Sequence, residues 1–478
     1  MVLRTKDKVF KASSINTALE SLQRRHPFLH SVFMSLPFVG PYFALSGAPL
    51  IVRDIASREI LDDDSAEKTF QLQEQGVIDN ELNAKFYSPY TDFLENLLIA
   101  RTRHAMETAM EKAGELEPGT AISEDQVRQQ VPELPLLRVT LVNGSSGLGQ
   151  SLIITLPQVI ADGASASNLA KELLEQVEKV EACEAKGEVV PEPLYLQCLN
   201  NMDEFYPRRV GGIGAAFTNL QSWIHWLRYC FKLKVDQLEK FHAWIPNESR
   251  VIRSASAEIP LDIVNKIKQA AHAHNTHMGH LLSATSVAAT HEIFFPTSDN
   301  ATLPTQVWVD LRPHFDAPIA EKHLGLLAGR IQGHVKSNVG DSIWDLARQV
   351  QEFDEQIPDE AFRSIRWLAN TWETDRKIIA SRSPSEKPIG APLQLAPVNI
   401  ANMGALKMPS SLMERFGVTS AATFFGQSEN TRFTTFTSLP NGNMTITVTY
   451  PDLIFTRSDI SDYIDSLVHH LKLTAEGQ

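Results

Sequence analysis

One strand-to-helix junction constrains the fold of this chain more than any other feature of its sequence. An apolar, strand-like run at residues 151–155 is followed by Leu156-Pro157-Gln158-Val159-Ile160-Ala161-Asp162-Gly163-Ala164-Ser165. A run with apolar residues at helical spacing, residues 168–174, comes next. Because Asp is a favoured N-cap residue, the sequence predicts a helix that begins at Asp162. A strand that leads directly into a helix in this way is typical of an α/β protein.

The same junction resembles the His-His-x-x-x-Asp-Gly core of the CoA-dependent acyltransferase superfamily. That superfamily includes chloramphenicol acetyltransferase, BAHD acyltransferases, alcohol acetyltransferases and the condensation domains of peptide synthetases. Asp162 and Gly163 match the Asp-Gly pair, whereas Pro157 and Gln158 occupy the two histidine positions. The resemblance implies a two-lobed α/β pseudo-dimer of the chloramphenicol acetyltransferase type, with the motif midway along a central tunnel.

Further segments resemble the superfamily in the same order along the chain. They are residues 18–29, 309–313, 324–329 and 399–404. The resemblance implies that Asp162 pairs with Arg312 of the other lobe, so that Asp162, Gly163 and Arg312 have a structural role at the motif. The candidates for the tunnel wall are Asn402, Thr435 and Thr447. The BAHD motif Asp-Phe-Gly-Trp-Gly is absent from the sequence, which argues against that branch.

Composition and turn signals divide the chain into two lobes. A Glu/Lys-rich segment at residues 176–193 ends in two prolines, so we expect an N-terminal lobe at 1–190, a connection at 191–250 and a C-terminal lobe at 251–478. In the first lobe, residues 136–142 are predicted to pair antiparallel with 151–155. In the second lobe, Asn441-Gly442 predicts a hairpin turn. Alternation in the strand after that turn places four apolar side chains on one face, namely Met444, Ile446, Val448 and Tyr450.

The substitution at Gln158 removes the chemistry that the resemblance implies. In the superfamily the second histidine takes the proton of an acceptor hydroxyl or amine as it attacks a thioester. A carboxamide donates and accepts hydrogen bonds but does not take up a proton near neutral pH. Loss of a general base typically lowers the rate by about 10²–10⁴. Ordinary acyl transfer at this motif is therefore not expected.

Three functions are compatible with an acyltransferase scaffold that lacks this histidine. The first is a shape-directed cyclase, of the Diels–Alder type, acting on a bulky apolar biosynthetic intermediate whose carbonyl accepts a hydrogen bond from Gln158. The second is an acyl-CoA-dependent O-acyltransferase with a relocated base. The third is a non-catalytic binding partner of a biosynthetic assembly line. The expected partner in the first case is an apolar small molecule, and no cofactor is expected.

Composition and local patterns argue against several other classes of protein. The net charge of −13 argues against nucleic acid as a partner. Three cysteines without CxxC spacing, and an N-terminus without a signal-peptide core, predict a reduced, cytoplasmic compartment. Prolines and glycines interrupt the apolar residues 28–52, so we expect no membrane span. The histidines at 272, 274, 277 and 280 lack a paired carboxylate or an HExxH motif, so no metal site is expected. The sequence does not predict an oligomeric state.

Overall fold

The structure is a computed structural model that describes parts of both halves of the chain. The described residues are 1–6, 8–36, 40–45, 50, 53–56, 137–143, 150–156, 160–196, 252–315, 322–354, 361–362, 398–425, 432–451 and 454–477. Gln158, to which the cyclase hypothesis assigns a hydrogen bond, lies outside these residues, as does most of the predicted connection at 191–250.

Both strands and helices are found in each half. The strands are β1 Val2–Thr5, β2 Ser31–Leu36, β3 Gly40–Leu45, β4 Arg53–Ala56, β5 Arg138–Asn143, β6 Gln150–Thr155, β7 Ile252–Ile259, β8 Asn300–Asp310, β9 Ala328–Asn338, β10 Val398–Ala405, β11 Val418–Ala422, β12 Phe433–Ser438 and β13 Met444–Pro451. The α-helices are α1 Ala12–Arg25, α2 Gly163–Lys186, α3 Leu261–Ala273, α4 Met278–Phe294, α5 Ile343–Asp354, α6 Ser410–Phe416 and α7 Arg457–Ala475. The predicted α/β class is confirmed.

The first half builds a five-stranded sheet in the order β11-β1-β6-β5-β4. The predicted antiparallel pairing of its two central segments is confirmed, because β5 pairs with β6 from Arg138 opposite Thr155 onward. Helices α1 and α2 cover one face of this sheet and bury Leu19, Leu22 and Leu173 against it. One strand comes from the second half of the chain, since β11 pairs antiparallel with β1. The two halves are therefore joined through backbone hydrogen bonds as well as through side chains.

The second half builds a six-stranded sheet in the order β7-β13-β12-β10-β8-β9. The predicted hairpin is confirmed, because β12 and β13 pair antiparallel on either side of Asn441, which has a φ of 52°. The predicted apolar face of β13 is also confirmed, and it packs in a core that α3, α4 and α7 share. The threonines on the opposite face of β13 are buried too, since β11 packs against β12 and β13 on that side. This sheet is therefore covered on both faces.

A short turn separates helix α1 from strand β2. The helix begins at Ala12, and Ser14 lies buried inside it. Pro27–His30 then forms a 3₁₀ turn before β2. Proline fixes φ near the helical value at the start of such a turn. None of the helices in the described ranges is long and apolar enough to cross a bilayer.

Candidate functional site

Asp162 begins helix α2, as the sequence predicts. Its backbone is extended, and its Oδ1 accepts a hydrogen bond of 2.8 Å from the backbone N–H of Ser165, which is the usual N-cap arrangement. Gly163, the first helical residue, does not adopt the left-handed conformation that favours glycine. A Cβ atom at Gly163 would instead lie 2.1 Å from Cε of Met403. A larger residue at this position would therefore force the flexible end of the Met403 side chain, which comes from β10 in the other half, to move.

Arg312 binds the Asp162 carboxylate with both ends of its guanidinium group. Nη1 lies 2.9 Å from Oδ2 and Nη2 lies 3.1 Å from Oδ1. Arg312 starts the 3₁₀ turn that directly follows β8, and its side chain is only 3% exposed, against 2% for Asp162. The two parallel hydrogen bonds match the fork-to-fork geometry in which Arg recognises a carboxylate. The structure thus contains the ion pair between the halves that the resemblance implies.

The segment after Arg312 completes a closed network, which we call the clasp: Asp162, Ser165, Arg312, Gly325 and Leu327. The backbone N–H of Leu327 donates to Asp162 Oδ2 at 2.8 Å, and the N–H of Asp162 donates to the carbonyl of Gly325 at 3.2 Å. Ser165 Oγ donates to the same carbonyl and accepts from Arg312 Nη2. The clasp fixes the start of α2 against the second half of the chain through hydrogen bonds of both side chains and backbone groups.

Both side chains of the ion pair in the clasp are engaged in hydrogen bonds. Burial by itself lowers the pKa of Arg312, but the carboxylates of Asp162 and Asp310 outweigh it and raise that pKa above its usual value. The Asp162 carboxylate accepts four hydrogen bonds, two from Arg312 and one each from Ser165 and Leu327. All four of these bonds come from groups of the protein, so the carboxylate ties the start of α2 to Arg312 and Leu327.

A cavity of about 150 Å³ lies beside the clasp, between the start of α2 and strands β8, β9 and β10. Three of its residues form an apolar wall: Trp308, Met403 and Phe425. Trp308 is held in place because its Nε1 donates to Asn399 Oδ1 at 3.0 Å, and the ring of Phe425 packs 4.9 Å from that of Phe433. Polar residues also line the cavity, namely Asp162, Ser167, Asn168, Asp310, Arg312, Asn402 and Lys407. The mixture is typical of a small-molecule site.

The residues predicted for the site do not all reach this cavity. Asn402 lines it, and its Oδ1 accepts from the backbone N–H of Gly404 at 3.0 Å. Thr435 and Thr447 are direct cross-strand partners on β12 and β13, fully buried, and they lie away from this cavity. Thr435 Oγ1 donates to the carbonyl of Thr423 at 2.6 Å. A role in ligand binding for these residues stays a prediction.

Groups able to take a proton are scarce around the cavity. No histidine is found among its lining residues in the described ranges. Asp310 lines it, but its Oδ1 accepts from Nη1 of Arg312 at 2.9 Å and from the backbone N–H of the same residue. Of the clustered histidines, His274 stacks on Trp344 at 3.8 Å, and the described part of the chain contains no group of three or more side chains that could hold a metal ion.

The sequence did not predict the apolar wall of the cavity or the part that Ser165 takes in the clasp. Trp308, Met403 and Phe425 come from three separate segments, so no local pattern could have grouped them. Ser165 offered one signal, because it lies three residues after the N-cap Asp162, where a side chain returns toward the cap. Its hydroxyl bonds the other half of the chain instead.

The structure is similar to solved condensation-type domains over nearly its whole length. The EpoB NRPS cyclization-docking bidomain from Sorangium cellulosum matches with a TM-score of 0.58 and 14% identity, covering 99% of this chain and 80% of that one. The first condensation domain of the CDA synthetase matches with a TM-score of 0.57 and 15% identity, covering 99% and 90%.

A polyketide synthase associated protein is also similar. Polyketide synthase associated protein 5 from Mycobacterium tuberculosis matches with a TM-score of 0.53 and 10% identity, covering 99% of this chain and 92% of that one. No protein-family model and no curated protein matches the sequence. Identities this low show the fold alone. The chain has the two-lobed α/β fold of these condensation-type domains.

Proposed function

From this condensation-domain-like fold, we propose that the chain is a biosynthetic enzyme that folds a largely apolar small molecule for cyclisation, by a Diels–Alder-type pericyclic step. One observation carries the proposal. A cavity with an apolar wall is held open beside an intact clasp, whereas the sequence has Gln158 where the superfamily has its general base. A scaffold of this kind retains its means of orienting a substrate without the means of removing a proton.

The chemistry of the lining favours a reaction without proton transfer. Asp162 and Asp310 are bonded to Arg312, and no histidine of the described residues lines the cavity. In an intramolecular cycloaddition two carbon–carbon bonds form, no atom leaves and no proton moves. Such a reaction gains from restriction of the reactant to conformers close to the transition state, which a shaped cavity supplies. In this proposal the amide of Gln158 donates to a substrate carbonyl that becomes more electron-rich as the bonds form.

Proteins with this fold act in related settings. The similar structures include a cyclization domain, an epimerization domain and a polyketide synthase associated protein. These names describe those proteins and support only the general setting, the biosynthesis of small molecules by assembly lines. The cyclase assignment rests on the cavity and on the Gln158 substitution.

The test is incubation of the purified full chain with a linear trienone in which a short methylene chain joins a conjugated diene to an enone. We expect faster cyclisation than in buffer and a changed ratio of diastereomers, measured by chromatography with mass detection. With acetyl-CoA and simple alcohols we expect no release of CoA above background. Turnover of acetyl-CoA would instead support an acyltransferase with a relocated base. If no trienone of matched size cyclises faster than in buffer, the remaining function is that of a non-catalytic binding partner.

A matched pair of variants ties the activity to the cavity. Ala164 lines the cavity at the start of α2, whereas Ala182 is exposed near the end of the same helix. Ala164→Phe fills space in the cavity and should abolish the change in diastereomer ratio. Ala182→Phe places the same side chain in solvent and should leave the ratio unchanged. Equal behaviour of the two variants would place the reaction elsewhere.

A further inference from the structure

The sheet of the second half opens at the place where the cavity lies. The parallel strands β8 and β10 pair with each other only as far as Ala401 opposite Trp308 in the described part of the chain. Beyond that point β10 continues along β12, and β8 continues along β9 up to Asp310. The two strands therefore part at their carboxyl ends. The cavity occupies this gap, because residues of both strands line it.

Met403 lies in the gap on the β10 side. The register of β10 against β12 shifts between Asn402 and Gly404, which makes Met403 the extra residue of a bulge. Gly404 accommodates the bulge with a φ of 63°. A bulge bends its strand and re-aims the side chain of the extra residue. Here the Sδ and Cε atoms of Met403 lie against Gly163, so the thioether reaches from β10 to the first turn of α2 and forms part of the cavity wall.

The cavity is small for the substrate that the proposed function requires. Its volume is about 150 Å³. A cavity of roughly 150 Å³ is large enough for benzene, and sites for drug-sized molecules usually measure about 300–1,000 Å³. A trienone, with a diene, a tether and an enone, contains many more carbon atoms than benzene. To enclose such a molecule, the cavity must therefore enlarge.

Of the three residues in the apolar wall, Met403 moves at the lowest cost. The indole of Trp308 is held by its hydrogen bond to Asn399, and the ring of Phe425 packs on that of Phe433. The side chain of Met403 is unbranched and has three rotatable bonds, and only its far end contacts α2. Rotation about these bonds adds the space of the thioether to the cavity without moving the backbone.

We propose that Met403 is an adjustable wall of the substrate site and determines the length of the apolar chain that the cavity accepts. With its thioether on the first turn of α2, Met403 closes the cavity around a short chain. With the thioether turned away, the cavity accepts a chain that is longer by the space of Cγ, Sδ and Cε. The inference rests on the proposed function, because it concerns the substrate of the same cavity. It adds a substrate class to that function, namely unbranched apolar chains of more than one length.

The binding experiment uses a series of unbranched methyl ketones, from octanone to tetradecanone, whose affinities for the purified full chain are measured by calorimetry. Each methylene group that becomes buried should raise the affinity about fourfold. We expect the wild-type chain to bind both ends of the series. Met403→Ala removes the thioether, so it should bind the shortest ketones at least ~5-fold more weakly, because they no longer fill the cavity, and the longest as before. The same dependence on chain length in Met403→Ala and in the wild type overturns the inference, as does a wild-type chain that binds none of the ketones.

A second variant separates an adjustable wall from a fixed one. Isoleucine has a similar volume but a stiff, β-branched side chain, so Met403→Ile should still bind octanone but bind tetradecanone at least ~10-fold more weakly than the wild type. The matched control is Met413→Ile, because Met413 lies in the core of the first half and outside the cavity lining. Thermal unfolding verifies that each variant is folded at the assay temperature. Unchanged binding of tetradecanone by Met403→Ile, or an equal loss in the control, overturns the adjustable wall. Failure of the trienone assay, with these changes in binding intact, would reject cyclisation but not the role of Met403.

Discussion

Replacement of Arg312 by methionine tests the clasp between the two halves. The variant keeps an unbranched side chain of similar length but removes the guanidinium group, and with it both hydrogen bonds to Asp162 and those to Asp310 and Ser165. Asp162 keeps its bonds from the backbone N–H groups of Ser165 and Leu327. A buried carboxylate without its counter-ion typically costs about 3–5 kcal/mol. We expect the free energy of unfolding to fall by that amount.

The assay is urea denaturation at neutral pH, with Arg348→Met as the matched control. Arg348 pairs with Asp345 on the surface, with side chains 70% and 50% exposed, so the same substitution should change the free energy of unfolding by less than about 0.5 kcal/mol. The double variant Asp162→Asn with Arg312→Met should recover part of the loss, because no charge is left unpaired. A loss for Arg312→Met no larger than for Arg348→Met would refute the account of the clasp.

Three further changes probe the site and its surroundings. Gly163→Ala should displace the thioether of Met403, which lines the cavity, and slow cyclisation of the trienone with little loss of stability. An unchanged rate would show that the thioether has free space. Glu172 is partly buried between Arg25 and His26. Burial raises the pKa of its carboxyl group, but these two partners outweigh burial and lower that pKa overall. The contribution of Glu172 to the stability of the fold is therefore present above its unfolded pKa and is lost as pH falls. Glu172→Gln should lower the free energy of unfolding by about 1.5–3 kcal/mol at pH 7. It should also weaken the fall of that free energy toward acid pH, and an unchanged fall would contradict this prediction. Gln158→Ala should raise the activation free energy of cyclisation by less than the ~2.7–4 kcal/mol that loss of an oxyanion-hole donor costs. Cyclisation by Gln158→Glu should be slower than by Gln158→Asn. Equal rates for all of these proteins would mean that Gln158 has only a packing role.

Local chemistry explains which elements the sequence could predict. Asn441-Gly442 favours the backbone of a tight hairpin, and alternation along β13 identified its apolar face. The N-cap at Asp162 also follows from residue type, since the carboxylate bonds a backbone group within its own first turn. These features depend on neighbours a few residues apart, where a single sequence carries strong information.

Long-range contacts explain what could not be predicted. The threonines of β13 alternate with apolar residues, a pattern typical of a solvent-exposed face, yet β11 covers them. β11 itself crosses to the first sheet, which no local pattern indicates. Gln306 likewise looks like an ordinary polar position on a strand, and only the fold shows that its amide is buried without a partner in the described part of the chain. The pairing of Asp162 with Arg312 was reached only through the resemblance.

The pH dependence of cyclisation tests the central claim most directly, namely that the cavity acts by shape without a general base. The rate constant for conversion of the trienone is measured from about pH 6 to 8, the range in which a histidine base titrates. We predict a flat profile, because no group in the proposed reaction gains or loses a proton. A rate that rises through the pKa of a histidine, and that is lost when one histidine is replaced, would contradict the claim and support a relocated base.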